Sequence, residues 1–273
     1  MKETVITSRD NGLARRACGV REGRVQGQIF IEGLRLSTEA ARAALDIEHV
    51  ICTEQFAQDE RGAQLFPLLG KARNRVSLVS ESVFASLSDT KSPQGIIMLA
   101  ARPHTGRAAL EQPSTTKPLL VIMHSLNNPS NAGAILRAAE AAGATGAATT
   151  AGTTDIFSPK ALRGAMGSSF RLPLWTGASF EEIMNWCRRR GIRSVASDLR
   201  ATRTHTEVDW TEPCALVVGS EAIGLLRVEA ATMDEQVKIP MRAPVESLNV
   251  AVATSVMLYE AARQRDAGTE ATR

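Results

Sequence analysis

Leu119-Leu120-Val121-Ile122-Met123 is a run without a polar member, and the chain continues through Asn127-Asn128-Pro129-Ser130-Asn131-Ala132-Gly133-Ala134-Ile135-Leu136-Arg137. A strand that is apolar at every position is covered on both faces, as in a parallel sheet between helix layers. Pro129, Ser130 and Asn131 suit a helix start. Ala132–Ala142, closed by Gly143, reads as the helix. This strand–helix unit is repeated downstream. Gly146–Thr150, Ser194–Ser197, Ala215–Val218 and Val237–Ile239 read as strands, and Pro159–Met166 and Phe180–Arg190 as helices. A long last helix runs from Leu248 to Gln264, with Leu248, Val252, Ser255, Val256 and Tyr259 on one face. Asp266–Arg273 reads as frayed. Alternating elements predict a mostly parallel sheet with helices on both faces.

Upstream, strands are expected at Ile29–Gly33, His49–Thr53, Val76–Val79 and Gly95–Ala101. Helices are expected at Ser37–Leu45, with Ser37 or Thr38 as N-cap, at Gln64–Ala72 and at Ser82–Leu87. This is a small α/β layer structure of its own. Between the two regions lies a stretch rich in Pro, Ser and Thr, with room for a helical turn at Ala108–Gln112. The reading is a first domain at 1–103, a linker at 104–117 and a second domain at 118–273.

The 273 residues carry 32 Lys and Arg against 29 Asp and Glu, a net +3. The excess is 14 to 12 up to residue 103 and 18 to 17 beyond it, so neither half is a basic coat for nucleic acid. Aromatics make up 4%, too few for a base-stacking sheet. Cys18, Cys52, Cys187 and Cys214 are far apart and His49, His104, His124 and His205 lack ligand spacing, so no metal is expected. Four reduced thiols and the lack of an apolar run of roughly 20 residues point to a cytoplasmic protein without a membrane span. The glycine fingerprints of dinucleotide and P-loop sites are missing, as is the GxSxG elbow.

Ligands of open parallel sheets gather at the carboxyl ends of strands, and three of those ends carry unusual polar sequence. After Met123, Asn131 and Arg137 lie on one helix start. A capped helix with a solvated arginine explains them, and so does an anion site. After Val218 comes Gly219-Ser220-Glu221-Ala222-Ile223-Gly224-Leu225, a carboxylate between two glycines that reads as an exposed turn or as a site. After Val237 comes Ile239-Pro240-Met241, then Ser247-Leu248-Asn249-Val250. Ser247 is the expected N-cap of the last helix, and Asn249, a weak helix former just inside it, hints at a hydrogen-bonding duty. His124, also at a strand end, reads as a hydrogen-bonded turn residue.

These three segments, in this order, resemble motifs one to three of the SpoU (TrmH-like) branch of the SPOUT RNA methyltransferases over roughly residues 119–265. Ile31-Glu32-Gly33 and Ser88-Asp89-Thr90-Lys91-Ser92-Pro93-Gln94-Gly95-Ile96 are similar to recurring segments of the substrate-binding domain that often precedes it, itself similar to ribosomal proteins that bind kinked RNA. The resemblance implies a C-terminal α/β trefoil-knot domain with a parallel sheet, preceded by a smaller ribosomal-protein-like RNA-binding domain. It implies a homodimer and a 2′-O-ribose methyltransferase that uses S-adenosylmethionine. The family's catalytic positions fall on Asn131, Arg137, Glu221, Ser247 and Asn249, and its cofactor contacts on Ser197, Gly219, Ile239 and Leu248. Ala222 and Ala243 depart from glycines frequent in the family.

Structured RNA is the expected partner, ribosomal RNA ahead of transfer RNA. The alternative in another class is a non-catalytic RNA-binding or ribosome-assembly factor with the same fold. The basic N-terminus, including Arg9, Arg15 and Arg16, and the acid-free stretch holding Arg163 are candidate phosphate contacts, although a solvated face also explains them.

Overall fold

In the computed structural model, which describes residues 5–112, 115–220 and 223–270, the apolar runs pair into two separate sheets. They belong to two units. One holds the chain up to His104 together with Phe157–Arg171; the other holds Thr105–Ile156 and the chain from Leu172 onward.

The first unit contains α1 (Gly12–Arg21), β1 (Gln28–Glu32), α2 (Leu34–Arg42), β2 (Ile47–Thr53), α3 (Glu54–Gln58), α4 (Glu60–Leu65), β3 (Val76–Val79), α5 (Glu81–Leu87) and β4 (Ile96–Ala101). Its sheet has the order β1-β4-β2-β3; β4 is antiparallel to both neighbours and β2 is parallel to β3. Phe30, Ile51, Phe84, Ile97 and Leu99 form the core with Ala14, Ala17 and Val20 of α1.

Two expectations are corrected here. α2 begins at Leu34, not after Ser37 or Thr38. Gly33, at φ 96°, makes a turn that side chains rarely adopt, and the Gln94 Oε1 accepts from the Leu34 N–H at 2.9 Å. A cap supplied from sixty residues away leaves Ser37 buried within the helix. The helix expected over Gln64–Ala72 is α4 followed by a 3₁₀ segment, Phe66–Arg75, broken at Gly70. Pro67 lacks the N–H that would continue the α-helical ladder.

The segment Phe157–Arg171 carries α8 (Pro159–Ala165) and α9 (Ser168–Arg171). The sequence reading places it in the second domain, yet it clusters with the first unit. Its buried apolar side chains are Phe157, Ala161, Leu162 and Ala165. Arg163 pairs with Asp89 at 2.8 Å, Arg171 pairs with Glu39, and the Arg102 guanidinium lies 4.7 Å from the centre of the Phe157 ring.

The second unit is built on seven strands, β5 (Leu119–Met123), β6 (Gly146–Thr150), β7 (Leu174–Ala178), β8 (Arg193–Ser197), β9 (Arg203–Thr204), β10 (Cys214–Val218) and β11 (Glu235–Lys238). Their order is β7-β6-β5-β10-β8-β11-β9, every neighbouring pair parallel. Its helices are α6 (Arg107–Leu110), α7 (Pro129–Ala141), α10 (Phe180–Arg189), α11 (Arg227–Ala230) and α12 (Val250–Glu270). Every residue of β5, β6 and β10 is buried. Leu120, Ile122, Ala215 and Val217 join Ile183, Met184, Trp186 and Cys187 of α10 in one core. Alternate strand residues point the opposite way, where α7 and α12 pack on each other and on β5 and β10. The strand order reverses between β5 and β10, the kind of point where open α/β sheets bind ligands.

Candidate functional site

Register brings the strand ends together. Val218 pairs with Met123, Val217 with Ala196 and Val237 with Ser197, so β5, β10, β8 and β11 finish along one edge. The loops leaving that edge hold the three polar segments. The second and third of them border a cavity of about 630 Å³, and Ser197, Gly219, Ile239 and Leu248 all line it. Ser247 and Asn249 line it as well.

Gly219 explains how the second segment folds. The chain turns back so that Gly224 N–H donates to Ser220 C=O at 2.9 Å. A Cβ at Gly219 would run into the backbone of Gly224 and Leu225. The strand therefore ends in bare peptide groups against the cavity. Apolar Val218, Leu225 and Met257 and the hydroxyls of Ser197 and Ser220 complete much of the wall. Backbone, small hydroxyls and apolar carbon are the donor set a nucleoside with an amino-acid tail needs. Asp198, also in the wall, accepts from Arg200 Nε at 2.9 Å and Nη2 at 2.7 Å. That guanidinium holds the Asp198 carboxyl below the usual carboxylate range.

The first and third segments meet through one hydrogen bond: Asn249 Nδ2 donates to Asn131 Oδ1 at 3.1 Å. Asn249 is also the residue that starts α12, its Oδ1 accepting from Ala251 N–H at 2.9 Å and Val252 N–H at 3.4 Å. The expected cap, Ser247, lies two residues upstream and is exposed. Asn and Ser are both good N-caps, so the sequence held two candidates, and the bond to Asn131 selects Asn249. At α7 the cap is Asn128, whose Oδ1 accepts from Ser130 N–H at 2.9 Å.

Arg137 is exposed on α7, six residues beyond Asn131, and has no hydrogen bond or ion pair among the described residues. Glu221 lies outside the described residues. His124 has the hydrogen-bonded turn role expected of it: Nδ1 lies 3.0 Å from Thr150 Oγ1 and Nε2 lies 3.2 Å from Glu229 Oε1. Glu229 escaped the sequence reading because it sits outside every motif, on a four-residue helix.

In the first unit, Arg9 and Arg15 are exposed. Arg16 donates to Gln28 at 3.0 Å and pairs with Glu48 at 3.1 Å, and Arg163 is held by Asp89. Among the described residues no group of three His, Cys, Asp or Glu is placed to hold a metal ion. No helix among them is long and apolar enough to cross a membrane.

Residues 118–259 match the model of the SpoU rRNA Methylase family, and residues 20–98 match that of an MRM3-like substrate binding domain. The chain belongs to the SpoU rRNA methylase family. It is 34% identical to an uncharacterised tRNA/rRNA methyltransferase of Synechocystis, over 95% of this chain and 94% of the relative. It is 32% identical to the 23S rRNA (guanosine-2′-O-)-methyltransferase RlmB of Photobacterium profundum, over 83% of this chain and 95% of RlmB. A crystal structure of an AdoMet-bound rRNA methyltransferase from Sinorhizobium meliloti superposes with a TM-score of 0.83 at 26% identity, covering 95% and 97% of the two chains. This SpoU-family chain thus has the seven-stranded parallel sheet of SPOUT methyltransferases and, ahead of it, a substrate-binding domain.

Proposed function

We propose that the protein methylates the 2′-hydroxyl of a ribose in ribosomal RNA, with S-adenosylmethionine as methyl donor. The bond between Asn131 and Asn249 carries the reading, because it joins the first family motif to the third, which lines the cavity together with the second. Similar proteins include a 23S rRNA (guanosine-2′-O-)-methyltransferase and an AdoMet-bound rRNA methyltransferase.

When bound, S-adenosylmethionine supplies an electrophilic methyl group, and its site is the cavity lined by Ser197, Gly219, Ile239 and Leu248. The protein's share of the reaction is placement and relief of a proton. Arg137 stays protonated at neutral pH, so it serves as an anchor: its guanidinium holds the phosphate beside the target ribose. The 2′-hydroxyl proton leaves through that phosphate contact. Asn131, Glu221, Ser247 and Asn249 orient Arg137 and the ribose. Arg9, Arg15, Arg16 and Arg163 hold further RNA phosphates. The ion pairs of Arg16 and Arg163 are exposed enough to exchange for phosphate.

The proposal extends to a cytoplasmic homodimer with a knotted C-terminal passage. Nine of the ten exposed large apolar side chains among the described residues lie between Leu199 and Tyr259. They include Val252, Val256 and Tyr259, the outward stripe of α12. An apolar surface of this kind marks an association site. The passage from β11 back to α12, which packs on α7, is the threaded segment.

Mapping ribose methylation in ribosomal RNA from cells with and without this protein tests the activity. One 2′-O-methyl mark that vanishes without the protein and returns with it is expected. Unchanged ribosomal RNA beside an unmethylated transfer RNA position would sink the rRNA reading.

A further inference from the structure

Gly219, Ser220, Ile223, Gly224 and Leu225 form one wall of the cavity. At its start, Gly219 continues β10. At its end stands Leu226, whose N–H donates to Glu229 Oε2 at 2.9 Å. The other oxygen of that carboxylate, Oε1, lies 3.2 Å from His124 Nε2. His124 is held on three further sides. Its N–H donates to Val218 C=O at 2.9 Å, its Nδ1 lies 3.0 Å from Thr150 Oγ1, and its ring lies 4.6 Å from the Phe180 ring, centre to centre. The His124 and Glu229 side chains are 15% and 19% exposed, so water competes little for the bond.

Thr150 Oγ1, which faces Nδ1, also accepts from Ser125 N–H at 3.2 Å and lies 3.4 Å from Thr153 Oγ1.

We propose that His124 and Glu229 are a positioning pair for the cofactor: they tie the closing end of this wall, Ile223–Leu226, to the ends of β5 and β6, and so keep the cavity formed before S-adenosylmethionine arrives. Neither residue touches the reacting atoms. The pair acts through Leu226 and the neighbouring wall residues Gly224 and Leu225. Without it the wall must be ordered at the expense of binding free energy. The inference rests on the proposed use of S-adenosylmethionine, but not on which RNA is methylated.

The test is calorimetric titration of the full chain with S-adenosylmethionine. His124→Ala and Glu229→Ala should each raise Kd about tenfold, the size of one lost hydrogen bond to a charged group. The double variant should be no weaker than either single one. His124→Gln places an amide nitrogen where Nε2 was and should recover most of the affinity. His124→Asn replaces only Nδ1 and should not. Hydrogen exchange of the amides at 223–226 should quicken in the Ala variants, and the kinetic loss should fall on the KM for S-adenosylmethionine, leaving the KM for RNA. Wild-type affinity in both Ala variants, additive losses, or equal affinities of the Gln and Asn variants would overturn the pair. If His124→Ala does not fold, Glu229→Ala and His124→Gln decide the same question. A wild-type protein that does not bind S-adenosylmethionine refutes the functional reading; binding without rRNA methylation refutes only the choice of RNA.

Discussion

Asn249 performs two separable tasks, and substitutions can divide them. Its Oδ1 caps α12 and its Nδ2 reaches Asn131. An N-cap contributes about 1 kcal/mol, and a hydrogen bond between neutral side chains about another 1 kcal/mol. Asn249→Ala removes both and should destabilise the second unit by about 2 kcal/mol. At about 2–4 °C per kcal/mol for a domain of this size, that is a fall of roughly 4–8 °C in Tm. Asn249→Ser keeps a good cap, but its hydroxyl is too short to reach Asn131. It should recover about half of the lost Tm while methyl transfer stays at least tenfold down. Adding Asn131→Ala to Asn249→Ala should cost about 1 kcal/mol less than the sum of the two single effects. Thermal unfolding followed by circular dichroism, beside a tritiated-methyl transfer assay, gives both quantities. Additivity in the double variant, or full activity in Asn249→Ser, would show that the bond joining the two motifs does not matter.

Arg137→Ala should abolish methyl transfer and leave S-adenosylmethionine affinity within about twofold, since its guanidinium is outside the cavity wall; retained turnover would defeat its role as phosphate anchor. Gly219→Ala forces a methyl group against the Gly224 backbone, so the wall must open, and calorimetry should show at least a tenfold loss of cofactor affinity, equivalent to about 1.4 kcal/mol. Glu260 accepts from Arg263 at 2.8 and 2.7 Å, an arrangement that lowers its pKa to about 2, with Gln264 assisting. A depressed carboxylate stabilises the fold above its unfolded pKa and loses that contribution as pH falls through the folded one. Glu260→Gln should therefore lower Tm at pH 7, and the two melting curves should converge as pH falls from about 4.5 towards about 2. Val256→Glu puts a charge on the exposed apolar stripe of α12; sedimentation should show a dimer for the parent chain and monomers for the variant.

The elements that were legible in the sequence share a physical cause. β5 and β10 announce themselves because burial on both faces demands unbroken apolar runs. α1 does not, because it buries only small residues, Ala14, Ala17, Gly19 and Val20, beneath an arginine-rich surface. β7 hides behind Gly177 and a half-exposed Thr176. Where a partner is remote, local sequence picks the wrong residue. Gln94 caps α2 ahead of Ser37, and the bond to Asn131 selects Asn249 over Ser247. The cavity residues were readable through motif likeness, since most contribute backbone or apolar surface that no spacing rule flags. Glu229 was unreadable for the opposite reason: an ordinary helix-capping carboxylate gains its second partner only when the fold sets it beside His124.

The excursion of Phe157–Arg171 has a bearing on how such a protein is inherited and engineered. The backbone passes from one unit to the other at three places, after His104, after Ile156 and after Arg171. A gene cut at the Pro-rich joint would thus yield no two self-sufficient halves. A fragment starting at residue 105 would carry Phe157, Ala161, Leu162 and Ala165 with nothing to cover them and should precipitate or bind other chains. A graft of a new RNA-binding head must therefore bring its own surface for that segment.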